Sequence, residues 1–168
     1  MSKYTDRRVF AFEPVPENYS LMLKTIEMNG LKNVVPVNVA LGDKSEHRDI
    51  SICGSGSSLV MRNPKNQSCD AKKVVKIITL DDFVAENNLE VGMIKADIEG
   101  FEQHMLRGAE KTIISQKPVL RICIYHNVSD FLDIKPMIEA WDLGYKFRII
   151  KPVDGSVCGE TALIAEVI

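Results

Sequence analysis

The residues best suited to chemistry in this chain collect where apolar runs stop. Asp97, Glu99 and Glu102 fall in one D-x-E-G-x-E stretch that directly follows the run VGMIKA. A carboxylate at the end of a strand can orient an acceptor group or take its proton, because burial raises a carboxyl pKa towards neutrality. Asp97 is the candidate for that work. Asp97 and Glu99 can also share a hard divalent cation that keeps waters. The helix dipole explains Glu99 and Glu102 equally well, since it favours negative charge at a helix start, and no metal is assigned. His126 follows another apolar run, PVLRICIY, and an imidazole titrates near neutrality, so it can take a proton from a hydroxyl. A loop histidine with no chemistry would stand in the same place. His47 and His104 have no comparable setting. Glu13 ends a third run, RVFAFE, and Asn38, Val39 and Ala40 end a fourth.

The elements that must position these residues alternate along the chain. A strand over 8–13 is followed by Pro14-Val15-Pro16, and Pro16 suits the first turn of a helix. That helix reaches about Asn29, with Tyr19, Met22, Leu23 and Ile26 on its apolar face and Gly30 at its end. Val34, Val35, Val37 and Val39 give the next strand. Residues 47–52 and 73–79 read as two more strands, flanking an irregular segment over 53–72. Thr79 is placed as a helix N-cap with Asp82 three residues on. A strand over 91–97, a helix over 100–115 and a strand over 118–125 follow. The spacing then predicts a helix over 134–143, with Pro136 in its first turn and Gly144 behind it. Residues 145–151 and 160–167 read as an antiparallel hairpin. Strands separated by helices imply right-handed crossovers and a mostly parallel α/β sheet. Ligands of such sheets bind outside the carboxyl ends of the strands, where Glu13, Asn38–Ala40, Asp97 and Tyr125-His126 are all expected.

The chain has 168 residues, enough for one domain to bury a core without metals or disulfides, and residues 1–168 read as a single domain. Its net charge is −2 with scattered Lys and Arg, which gives no footprint for nucleic acid or an anionic membrane. Cys53, Cys69, Cys123 and Cys158 are widely spaced and form no CxxC pair, so a reducing cytoplasm is expected. No apolar stretch approaches the ~20 residues that span a bilayer, and the polar start MSKYTDRR is no signal peptide.

The segments VFAFEPVPENY, LKNVVPVNVALGD, ITLDDF and IKADIEGFEQHMLRGAE, in that order, resemble the FkbM family of methyltransferases. The resemblance implies a Rossmann-like methyltransferase sheet, S-adenosylmethionine as cofactor, and an acceptor hydroxyl on a sugar or natural-product-like small molecule. It implies that Glu13 accepts both ribose hydroxyls in short, charge-assisted hydrogen bonds. Asn38, Val39 and Ala40 would lie beside the adenine. Asp97 would face the methionine part of the cofactor or the acceptor, and His126 the acceptor.

One departure from the family pattern stands out. Only seven residues precede the strand over 8–13, too few for an opening strand and its glycine-rich turn, so the domain is expected to lack its first βα unit. Gly54 and Gly56 in CGSGSS precede no clear helix and read as a loop. Strand 8–13 should then pair with strand 91–97 or be covered by another molecule, such as a second copy in a homo-oligomer. Three readings stay open: a methyltransferase domain, a non-catalytic methyltransferase-like module that binds a partner, and, ranked last, a nicotinamide-dependent Rossmann enzyme.

Overall fold

A computed structural model describes residues 5–53, 56–58, 71–154 and 159–168. Strand β1 (Val9–Phe12) leads into helix α1 (Pro16–Met28) and returns to β2 (Val34–Val37), which pairs with it in parallel. Pro16 begins α1, and Gly30 behind it takes φ +60, a left-handed conformation that ends the helix without a Cβ penalty. Tyr19, Met22 and Ile26 are half-buried, whereas Leu23 stays exposed. The chain then enters β3 (Ala40–Leu41), β4 (Glu46–Cys53), β5 (Gly56–Ser58) and β6 (Ala71–Ile78), which form a sheet in the order β3-β6-β4-β5.

Helix α2 (Leu80–Glu86) starts as the sequence predicts: Asp82 N–H donates to Thr79 Oγ1 at 3.0 Å. Strand β7 (Met93–Ala96), helices α3 (Glu102–Arg107) and α4 (Glu110–Gln116), strand β8 (Val119–Cys123), helix α5 (Val128–Glu139) and strands β9 (Lys146–Ile150) and β10 (Ala162–Glu166) complete the chain. The last sheet runs β7-β8-β10-β9, with β7 and β8 parallel and the expected hairpin β9–β10 antiparallel. The main core lies against it. Ile94, Ala96, Leu120, Ile122, Leu163 and Ala165 pack with Met105, Leu106 and Ile113 of α3 and α4 and with Ile134 and Ile138 of α5.

Several expectations need correction. The single, mostly parallel sheet is instead three sheets among the described residues, with four antiparallel pairings beside three parallel ones. The reason is which strands meet: β4 and β6 pair antiparallel from Glu46↔Ile77 to Ile52↔Ala71, and β10 inserts antiparallel between β8 and β9. Strand β1 does not pair with β7; its described partner is β2 alone. The run 34–39 stops at Val37, and Ala40 opens β3 in a different sheet. Within the segment expected to be irregular, Gly56–Ser58 form β5, while residues 54–55 and 59–70, with Gly54 and Cys69, lie outside the described residues. Residues 155–158, with Cys158, lie outside them too. Helix α5 begins six residues ahead of the predicted start, so Pro136 sits inside it rather than in its first turn. Its opening residues Val128, Phe131 and Leu132 stand at helical spacing but are exposed rather than packed on the core.

The helix expected over 100–115 is also broken, at Gly108. A Cβ there would lie 1.8 Å from the Gly42 carbonyl oxygen. The φ of −77 at Gly108 is one that any residue adopts, so glycine is required by the close backbone approach and not by conformation. Gly108→Ala should therefore destabilise the domain by about 1–3 kcal/mol despite alanine's better helix propensity. A urea unfolding midpoint equal to that of the parent chain would contradict this packing account.

Candidate functional site

The parallel register of β7 and β8 pairs Ala96 with Ile122, so the residues beyond both strands leave the sheet at one edge. Asp97 follows β7 directly, and Tyr125 and His126 follow β8. The chain beyond Asp97 turns through left-handed conformations at Glu99 (φ +57) and Gly100 (φ +93) into α3. Gly100 cannot be replaced cheaply, because a side chain is strained at φ +93, and a Cβ there would also fall 2.4 Å from Asn127 Nδ2 and displace it. Asn127 Nδ2 instead donates to the Gly100 carbonyl at 3.3 Å and to Asp130 Oδ2 at 2.9 Å. Asp130 is 1% exposed and also accepts from Gln103 Nε2 at 3.1 Å. The start of α5 is thus clasped to the start of α3.

That clasp brings two buried side chains together. Glu102, the first residue of α3, is fully buried, and its Oε1 accepts from the Ile98 N–H at 2.9 Å. The same oxygen lies 2.9 Å from His126 Nδ1, and the His126 side chain is 3% exposed. On the other side of the ring, His126 Nε2 lies 3.6 Å from Asp97 Oδ1 and 3.9 Å from Glu99 Oε2. Burial would lower the His126 pKa, but the Glu102 carboxylate beside it and the charges of Glu99 and Asp97 outweigh that and hold it above its ordinary value. Asp97, Glu102 and His126 each present one ligand-type atom, and these atoms lie within 4.8 Å of one another.

Tyr125 closes the site from the side. Its hydroxyl donates to Asp97 Oδ1 at 3.2 Å and faces Glu160 Oε1 at 3.5 Å, and its ring lies 4.1 Å from the His126 ring. Burial, with Asp97 and Glu160 adding to it, raises the phenol pKa well above its ordinary value. Lys95 Nζ stands 3.6 Å from Asp97 Oδ2. The arrangement can hold a cationic group and can position a hydroxyl beside a carboxylate and an imidazole.

The other sequence candidates form a second group, at the carboxyl ends of β1 and β2. Glu13 Oε1 accepts from the Val15 N–H at 2.8 Å, which turns the carboxylate onto its own turn. Each carboxylate oxygen has two lone pairs, so both still have room for a hydroxyl. Asn38 Nδ2 donates to the Glu13 carbonyl at 2.8 Å, tying the two strand ends together. Val39 is half-buried, and Ala40 is buried against Ile77 and Phe101.

Sequence reasoning placed Asp97, Tyr125 and His126 at one edge, and the structure brings them together. It missed the buried role of Glu102, which the helix dipole explained without a partner. Asn127 and Asp130 carried no signal, because α5 was expected to start beyond them.

Cys123 sits within this cluster, 3% exposed. Burial, and then the Asp97 carboxylate, push its thiol up to about 12. Only the thiolate is a good nucleophile. Iodoacetamide applied to the native chain at neutral pH should leave Cys123 unmodified, whereas the unfolded chain should be labelled there. Peptide mapping that finds Cys123 labelled in the native chain as fast as an exposed thiol would contradict this burial.

Comparison with known proteins places this geometry. Residues 4–147 match the family described as the methyltransferase FkbM domain. A protein named Methyltransferase 1 from Beauveria bassiana (strain ARSEF 2860) is 26% identical over 171 residues, covering 89% of this chain and 67% of that protein. The crystal structure of the methyltransferase FkbM from Methylobacillus flagellatus KT shares the fold, with a TM-score of 0.71 at 21% identity. The match covers 95% of this chain and 36% of that one, so this chain spans about a third of that protein's length. With most of its residues matched, the chain belongs to the FkbM methyltransferase domain family.

Proposed function

We propose that this chain forms the greater part of an S-adenosylmethionine-dependent methyltransferase domain that acts on a hydroxyl of a sugar or natural-product-like small molecule. The observation that carries the reading is the placement of polar residues at the carboxyl ends of parallel strands, Glu13 and Asn38 on β1–β2 and Asp97 and His126 on β7–β8. Ligands of open α/β sheets bind at that edge. Family membership supplies the methyl-transfer chemistry.

The residues present fit the cofactor. Glu13 offers carboxylate oxygens to a ribose diol, Asn38 and Val39 flank that position, and Ala40 contributes backbone rather than an open wall. The acidic surroundings of Asp97 suit the cationic methionine end. When bound, the cofactor supplies an electrophilic methyl group on a sulfonium. Asp97 and His126 then orient the acceptor hydroxyl and receive its proton, so the protein contributes alignment and electrostatics.

Among the described residues β1 pairs with β2 and not with β7, which supports completion of the site by a further strand and turn, from a second copy or from more chain. The same unpaired edge favours a second reading, a non-catalytic module that docks a partner there. No helix of the described residues is long and apolar enough to cross a membrane.

Calorimetry on the 168-residue chain should show weak S-adenosylmethionine binding or none, and micromolar binding would overturn the need for a completing turn. In an N-terminally extended form that binds, Glu13→Ala should weaken affinity by about 1.5–3 kcal/mol, as expected for hydrogen bonds to a charged group. In the same form Asp97→Asn and His126→Gln should lower turnover by about 10²–10⁴ while leaving cofactor affinity nearly unchanged. If both variants keep parental turnover, the methyl-accepting side lies elsewhere. An extended form that binds no cofactor would favour the docking module.

A further inference from the structure

The charges around Asp97 do not balance. Asp97, Glu99 and Glu102 surround one imidazole, Glu160 faces Tyr125, and the ammonium at the site is that of Lys95. Glu102 is the extreme case. Its side chain has no exposure, and its Oε2 has no hydrogen-bond partner among the described residues. A buried carboxylate oxygen without a partner is costly, and a positive group beside it removes the cost.

The spacing suits one ion. Asp97, Glu102 and His126 offer ligand atoms that lie within 4.8 Å of one another. Donors about 2.0–2.2 Å from one ion are at most about 4.4 Å apart, so a contraction of a few tenths of an ångström would seat a cation. We propose that Asp97, Glu102 and His126 form a binding site for a divalent first-row transition cation. Asp97 and Glu102 each supply one carboxylate oxygen, and His126 supplies one ring nitrogen.

The donor set selects the class of ion. Two carboxylates and an imidazole suit manganese, iron, cobalt or zinc, whereas magnesium and calcium sites are built from oxygen. The Tyr125 hydroxyl, which donates to Asp97 Oδ1, orients a liganding carboxylate, an outer contact typical of metal sites. Three protein donors leave coordination positions free for water or for an acceptor hydroxyl, which a bound ion would polarise. The site rests on this geometry and not on methyl transfer, so either can fail without the other.

The test is binding of Mn²⁺ alone to the 168-residue chain, followed by electron paramagnetic resonance of the free ion. One ion per chain should bind with micromolar affinity. Asp97→Asn, Glu102→Gln and His126→Gln should each weaken it by about tenfold or more, while Glu90→Gln, at an exposed ion pair with Arg7, should leave it unchanged. Bound Mn²⁺ should also broaden the amide NMR signals of Tyr125 and Asn127 before others. Circular dichroism establishes that each variant is folded, and Asp97→Asn, the partly exposed member, keeps the test decisive if Glu102→Gln unfolds. Absence of binding up to about 1 mM Mn²⁺, or equal binding by parent and Asp97→Asn, overturns the proposal.

Discussion

Glu102, a carboxylate with no solvent exposure, lies against an imidazole that is itself 3% exposed, and the order of the site depends on that contact. Removing a carboxylate from water costs several kcal/mol unless hydrogen bonds and opposite charge replace the lost solvation. The Ile98 N–H and the His126 ring supply part of that replacement, from two different segments of chain. Glu102 therefore ties the end of β7, the first turn of α3 and the residue beyond β8 to one another. Asn127, Asp130 and Gln103 repeat the arrangement one turn away, with Asp130 as the second buried carboxylate. Asp97 and His126 face each other because these two carboxylates hold their backbones in place.

The rest of the fold serves that edge. The apolar strands β7 and β8, buried against α3, α4 and α5, give it a rigid base. Asp81 accepts from the N–H groups of Lys111 and Thr112, so α2 caps α4 and fixes the helix layer over the sheet. Phe101 links the site to the neighbouring sheet: it packs with Ala40 and Ile77 and stacks on His104, which pairs with Asp43 at 2.8 Å. The His104 partner lowers the Asp43 pKa despite some desolvation. The close approach of Gly108 to Gly42 sits on the same seam. The strands that carry Glu13 and Asn38 meet the core through Phe12, whose ring packs edge-on against Phe83 at 5.0 Å.

What was legible in the sequence followed from local physics. Apolar runs located β1, β7 and β8, although of β7 only Ile94 and Ala96 are buried while Met93 and Lys95 are exposed. Thr79 and Asp82 marked the start of α2, and Pro16 and Gly30 bracketed α1. The polar ends of the runs pointed to Asp97 and His126 as neighbours. Long-range packing was not legible. Nothing near Gly108 announces the Gly42 carbonyl, and the helical spacing of Val128, Phe131 and Leu132 does not reveal that their face is exposed. The pairing of β4 with β6 depends on which strands meet, which periodicity does not encode. Glu102 shows the limit most clearly. A glutamate in a first helical turn has a sufficient local explanation, and only the position of His126, 24 residues on, reveals its partner.

The claim that the Glu102–His126 contact organises the strand ends is tested most directly by a double-mutant cycle in the 168-residue chain. Urea unfolding of the parent, Glu102→Gln, His126→Gln and the double variant gives the coupling free energy of the two side chains at one pH. Contacting charged partners in a shared network should show a coupling of about 1–3 kcal/mol, with the double variant less destabilised than the sum of the singles. If the single effects add to within about 0.5 kcal/mol, the two side chains do not depend on each other, and the account of the site is wrong.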